Sequence, residues 1–488
     1  MPYGKQPSVL ASVATGVALL LSACSSTQQP AAPAAPTAPA APTTAAAPTR
    51  AAAAPTTAAA PTTAAAAATP SAAATAPAVP TPRVAAASPV ASPVVAGAAT
   101  PGAAAAAGGG LTGTVKIVSS LPRTGSSKGQ TDTIVNAINM CLQDTNFKVG
   151  NATIQYTDMD DATAAKGSWD AAKEAENANA AAADPDVMLY IGTFNSGAAK
   201  ISIPILNRAG PLAMISPANT YPGLTKPGKG EANEPDVYYP TGKRNYTRVV
   251  PADDLQGAVG ANWAKELGAT KVYVLDDTEL YGHGIAVVFA DTAKKIGLNV
   301  VGGPEGIDTK ATDYRALATK IRGTGADFVY FGGITQNNAG KLWKDLRAVM
   351  PDLKLMGPDG IFEQAFLDDA GDAAEGSYIT FGGVPPDKLT GKGAEWYQRY
   401  KNQFHSEPEA YAAYGYEACK VGVDAIQRAG KKDRAAIVDA LFATKNYNGV
   451  LGTWSFDQNG DTTLTTMSGN QVKNGKFEFV KMIEAPKT

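Results

Sequence analysis

The chain has 488 residues, a formal net charge of −2 and a hydrophobic fraction of 44%, enough apolar material for a large core. Acidic and basic residues are interspersed at near balance, which argues against a nucleic acid or any polyanion held on a basic face. Two histidines far apart and three cysteines without ligand spacing give no metal centre, and no cofactor is expected.

In chain order, a single Lys precedes the apolar run Val9 to Leu21, which ends in Leu21-Ser22-Ala23-Cys24. A charged start, an apolar run too short to span a bilayer and a small-residue end are the order of a signal peptide. The last four residues resemble a bacterial lipobox. That resemblance implies a leader over 1–23, cleavage before Cys24 and lipid on its thiol; a short leader ending in a chance Cys is the plain alternative. Residues 24–110 are almost wholly Ala, Pro, Thr, Ser and Val, with Arg50 and Arg83 as the only charges. A Pro every few residues removes donors and forces extended geometry, so a disordered, semi-rigid spacer is predicted. Roughly 80 such residues at ~3.1 Å each reach on the order of 250 Å.

From Leu111 onward the chain is about twice the usual domain length, so two lobes are expected. Strand-like runs (TVKIVSS, ATIQYTDM, VMLYIG, LAMISP, then KVYVLDD, LNVVGGPEGI, DFVYFGG, LKLMGPDG and SYITFGG) alternate with helical patterns. That alternation predicts an α/β fold of mostly parallel sheets in two copies. The helix pattern over Ser126 to Thr145 places Ile134, Ile138, Cys141 and Leu142 on one face. Cys141 and Cys419 are expected as two buried free thiols, with a disulfide in an oxidising compartment as the alternative. The Gly-, Pro- and charge-rich insert Lys226 to Asn245 reads as a surface loop, and Asn459-Gly460 as a hairpin turn. Asp457, Asn459 and Asp461 have the opening spacing of a calcium loop, but Thr462 stands at position six and no Glu closes it, so no metal is assigned.

The run from Val187 to Thr225 carries most of the functional signal. VMLYIG and AMIS read as buried parallel strands with an apolar helix pattern between them, a βαβ unit. Ligands of open α/β sheets gather outside the carboxyl ends of the strands, so Thr193 to Gly197 and Ser216 to Thr220 face one crevice. Ser196 and Gly197, following Asn195, open a helix whose first N–H groups lack partners, a seat for a carboxylate; Ser196 as a mere N-cap is the bland alternative. In the second half, Tyr281-Gly282-His283-Gly284 and Gly357-Pro358-Asp359-Gly360 hold the matching positions after their strands. Turn formation alone would explain both, yet Asp359 facing the donors of the other lobe forms a clamp for a zwitterion. Gly125-Ser126-Ser127-Lys128-Gly129 fits the pattern of a serine-hydrolase elbow with His405 as base, but Leu121-Pro122-Arg123-Thr124 separates the serine from its strand.

LPRTG, IGTFNSGAA, MISPANTYPGLT, YTRVVPADDLQG, DDTELYGHG, FVYFGG, MGPDG, AEGSY and GTWSFDQNGD, in this order, resemble the branched-chain amino acid binding proteins of ABC importers, of the type I periplasmic-binding fold. The resemblance spans essentially 111–488. It implies two Rossmann-like lobes joined by a three-segment hinge, 111–249 plus 381–451 and 250–380 plus 452–488. It assigns the ligand carboxylate to Ser196, the backbone around Ala218 and Thr220, and the ammonium to Asp359 with the Ala218 carbonyl; Tyr281 lies beside the ligand. Asp359 stands where the family carries Glu, Ile334 where some members carry Tyr, and Ser127 and Lys128 where an aromatic often stands. The implied protein is not an enzyme but a lipid-anchored, extracytoplasmic binder of an amino acid, partnered by an ABC permease and ATPase. An amide or urea-like ligand, or a sensor role for a membrane receptor, are the alternatives.

Overall fold

A computed structural model describes residues 111–484. The leader, Cys24 and the spacer lie outside the described residues. Two parallel sheets carry the fold. The first runs, from edge to edge, Lys148–Val149, Asn151–Asp160, Thr112–Leu121, Val187–Gly192, Ala213–Ser216 and Tyr246–Arg248, all parallel except the short first strand. The second runs Asn299–Gly306, Lys271–Asp276, Phe328–Gly332, Lys354–Gly357 and Tyr378–Phe381 in parallel, then Thr466–Lys473 and Lys476–Glu484 antiparallel. Val187–Gly192 and Phe328–Gly332 are buried at every residue, as strands covered by helices on both faces must be. The chain passes between the sheets three times: after Arg248, after Phe381, and between Trp454 and Thr466.

The helix Lys128–Asp144 packs along Ala412–Ala429, a helix that returns to the first sheet only after the five parallel strands of the second. This pairing corrects the expectation of free thiols. Cys141 and Cys419 are joined in a disulfide with their Cα atoms 6.2 Å apart. Each cysteine lies on the buried face of its helix, and helix contact between residues 278 apart leaves no trace in local periodicity.

Two further expectations change. The insert after Lys226 is partly core rather than surface loop: Tyr238 and Tyr239 are buried, and Glu234 accepts from the hydroxyls of Tyr221 and Tyr238. A carboxylate with buried hydroxyl donors anchors a segment whose composition alone reads as solvent-facing. Asn459-Gly460 turns only a single bridge, Phe456 to Thr462, while the long hairpin turns at Asn474-Gly475. Both of those residues have positive φ, 52° and 68°, which suits Asn followed by Gly in a two-residue turn.

Candidate functional site

The carboxyl ends of both sheets meet at one hollow. On the first wall, the loop after Val187–Gly192 leads into the helix Ser196–Arg208. Asn195 holds the N-cap position with no side-chain cap bond, so Ser196 is the first helical residue and not the cap. The N–H groups of Ser196 and Gly197 therefore have no intrahelical acceptor. The Ser196 hydroxyl accepts from the Tyr221 N–H at 3.3 Å, which leaves its own proton free to donate.

The second loop is tied to the first by Ser216. Its hydroxyl donates to the Thr193 carbonyl at 2.8 Å and accepts from the N–H groups of Ala218 and Asn219. Asn219 returns an amide to the Phe194 carbonyl at 3.0 Å. Beneath this loop Arg248, fully buried, donates to the carbonyls of Asn219 and Tyr221 and pairs with Asp461 at 2.6 Å. Asp461 also accepts from the Thr225 hydroxyl, while Asp457 accepts the N–H groups of its own turn. The acids of the calcium-like spacing are thus engaged within the protein.

On the second wall Asp359 is buried and holds the centre. Its carboxylate accepts from Gln256 at 2.7 Å, Tyr281 at 2.8 Å and Tyr411 at 2.5 Å. Burial pushes its pKa up, and the bonds from Tyr411, Tyr281 and Gln256 hold it back. Tyr281, at the start of the helix Leu280–Lys295, also accepts from the Gly360 N–H at 3.0 Å. Gly360 has no room for a side chain: a Cβ would stand 2.5 Å from the Gly333 carbonyl and 2.8 Å from the Tyr281 ring.

Asn195, Ser196, Gly197, Ala218, Thr220, Tyr281 and Asp359, all named from the sequence, line this hollow. Ser127 does not. It is buried at the head of its helix with its hydroxyl against the Gln336 amide, which reaches it from the other wall. Gln336, and not His405, is the partner of Ser127, and His405 is an exposed helix terminus. Lys128 pairs with Asp132 at 2.5 Å and is largely exposed.

The hollow also contains Phe194, within the loop expected at the crevice, and Ile334, expected where some family members carry Tyr, together with Trp169, Glu279 and Tyr411, for which the motifs gave no role. Trp169 comes from a two-strand hairpin, and its ring closes over Gly197, where a Cβ would meet it at 2.6 Å. Tyr411 precedes the returning helix Ala412–Ala429 and packs edge-on against Phe194, 5.7 Å between ring centres. No group of three or more His, Cys, Asp or Glu suited to a metal occurs among the described residues.

The pattern of the family described as "Periplasmic binding protein" matches residues 114–476. A Leu/Ile/Val-binding protein homolog 2 from Brucella abortus (strain 2308) is 30% identical over 301 residues, 60% of this chain and 75% of that protein. The crystal structure of a leucine binding protein, LivK, from Thermotoga maritima superposes with a TM-score of 0.66 at 25% identity, covering 76% of this chain and 99% of the other. The branched-chain amino acid transporter substrate binding protein LivJ from Streptococcus pneumoniae, in complex with isoleucine, shares the fold with a TM-score of 0.65 at 24% identity over 76% and 99%. With two facing parallel sheets, a hollow at their shared edge and a family match over most of its length, the chain belongs to the periplasmic binding proteins.

Proposed function

We propose that the chain is an extracytoplasmic solute-binding protein that captures an amino acid of the branched-chain type and delivers it to an ABC permease with its ATPase. One observation carries this reading: the free donors at Ser196 and Gly197, together with Thr220, face the acid of Asp359 across a single hollow. The ligand carboxylate sits at the helix start and on Thr220; its ammonium meets Asp359 and the Ala218 carbonyl. Relatives named for Leu, Ile and Val support the ligand class. The Cys141–Cys419 disulfide suits an oxidising compartment, and Cys24 is the anchor to the membrane.

Capture works by closure. Ligand held on the first wall adds contacts to Asp359 and Tyr281 that exist only when the lobes meet, so it shifts the ensemble toward the closed form. Closing also removes water, which strengthens each charge-assisted bond. Titration calorimetry of the purified protein against the twenty amino acids tests the reading. Heat with leucine, isoleucine or valine supports it, and a heatless panel refutes it.

A further inference from the structure

Behind the ammonium seat lies a second acid that no ligand contact accounts for. Asp253 is the first residue of the helix Asp253–Glu266, just after the chain has crossed from the first sheet. It is fully buried, and neither carboxyl oxygen has a hydrogen-bond partner. Its backbone N–H donates to the Thr220 carbonyl at 2.8 Å, so it lies directly behind a residue that lines the hollow. One turn on, Gln256 gives its amide nitrogen to Asp359 at 2.7 Å while its own oxygen is also unpartnered. Three buried acceptor atoms here thus lack donors, whereas Asp359 has three.

We propose that Asp253 carries a proton while the hollow is empty and releases it to solvent when an ammonium group arrives, so that ligand capture is coupled to proton release. This rests on the amino acid reading above. Of two neighbouring buried acids, the one with hydrogen-bond donors stays ionised and the one without takes the proton. Asp359 has Gln256, Tyr281 and Tyr411 in hydrogen-bond geometry; Asp253 has none in that geometry, with only the Thr220 hydroxyl close by. Burial first, and then the charge of Asp359, push Asp253 well above the usual carboxylate range. Asp254 adds to this from the same helix, whereas the Thr220 hydroxyl and the Arg248 guanidinium pull the other way. Tyr281, Tyr330 and Tyr411 face the acid as neutral phenols, pushed higher by burial. A cation at the seat offsets the repulsion between the two acids, and the proton leaves as Asp253–COOH becomes carboxylate. Asp253 is therefore a positioning residue that sets the charge of the seat from behind Thr220.

Leucine titrated into the protein in two buffers of unlike ionisation enthalpy, each pair chosen to buffer at the pH used between about 5.5 and 8, tests the coupling. The apparent enthalpies should differ by the release of about half a proton or more, and affinity should rise with pH by up to about tenfold per unit. In Asp253→Asn, a neutral mimic of the protonated acid, the release should vanish and the affinity should match wild type at the acidic end and fall behind it above. An affinity lowered equally at every pH, with the proton count unchanged, assigns Asp253 a purely structural role and overturns the proposal. A protonated-carboxyl infrared band of the empty protein at neutral pH, missing from Asp253→Asn, supports the proton seat without any ligand, and its absence overturns it. Such a band together with no leucine binding refutes the ligand class instead. If Asp253→Asn does not fold, the 2-hydroxy analogue of leucine, which lacks the ammonium, replaces it: proton release with that analogue equal to leucine's overturns the coupling, and its absence supports it.

Discussion

Replacing Asp359 with Asn removes one charge and keeps the shape of the side chain. In wild type the carboxylate is pre-oriented by Gln256, Tyr281 and Tyr411, so an arriving ammonium finds its counter-charge already aimed. Two unit charges about 4 Å apart at an effective dielectric of about 20 attract by about 4 kcal/mol. Truncating one member of a buried charge pair costs about 2 to 5 kcal/mol in measured interfaces. The Asn oxygen keeps part of the hydrogen bonding, so we expect a loss of about 3 kcal/mol, or roughly 150-fold in Kd. Calorimetry with leucine reads this directly, and Trp169 in the hollow gives a fluorescence signal for the same equilibrium. The 2-hydroxy analogue of leucine should bind both forms alike. A change of less than about threefold for leucine, with the protein folded, would refute the assignment of Asp359 to the ammonium.

Gly197→Ala should weaken leucine binding by about tenfold or more, because the new methyl would displace the Trp169 ring from 2.6 Å; thermal melting should hardly move if the effect is confined to the hollow. Removing the disulfide by Cys141→Ala with Cys419→Ala should lower unfolding free energy by about 2 to 4 kcal/mol, read by denaturant titration with and without reductant. Burial pushes Glu363 up to about 8, and the charge of Glu409, itself pushed up to about 7 by burial, adds to that push. The folded protein thus binds more protons than the unfolded chain between about pH 4.5 and 8, so stability falls as pH rises through that window, by up to about 1.4 kcal/mol per unit for each such group. Glu363→Gln should flatten the slope of melting temperature against pH.

Local pattern carried the parts of the site that the sheets themselves place. A βαβ unit sends its loops to one edge, so reading VMLYIG and AMIS as strands was enough to bring Asn195, Ser196, Ala218 and Thr220 together. Asp359 and Tyr281 followed by the same logic in the second sheet. Gln256 and Tyr411 did not, because their meeting with Asp359 depends on helices that arrive from distant parts of the chain. The Cys141–Cys419 bond and the Arg248–Asp461 pair share that reason, joining segments 278 and 213 residues apart. Ser127 fell short for the opposite cause: its position on the first loop is right, but its hydroxyl is claimed by Gln336 before it can reach the hollow.

The Cys141–Cys419 bond lies entirely on one side of the cleft, yet the ring it closes holds most of the opposite side. A protease nick anywhere between those two residues would leave the pieces covalently linked. Proteolytic damage in the far jaw would then appear as lost capture, with no separated fragment, until a reductant opened the ring.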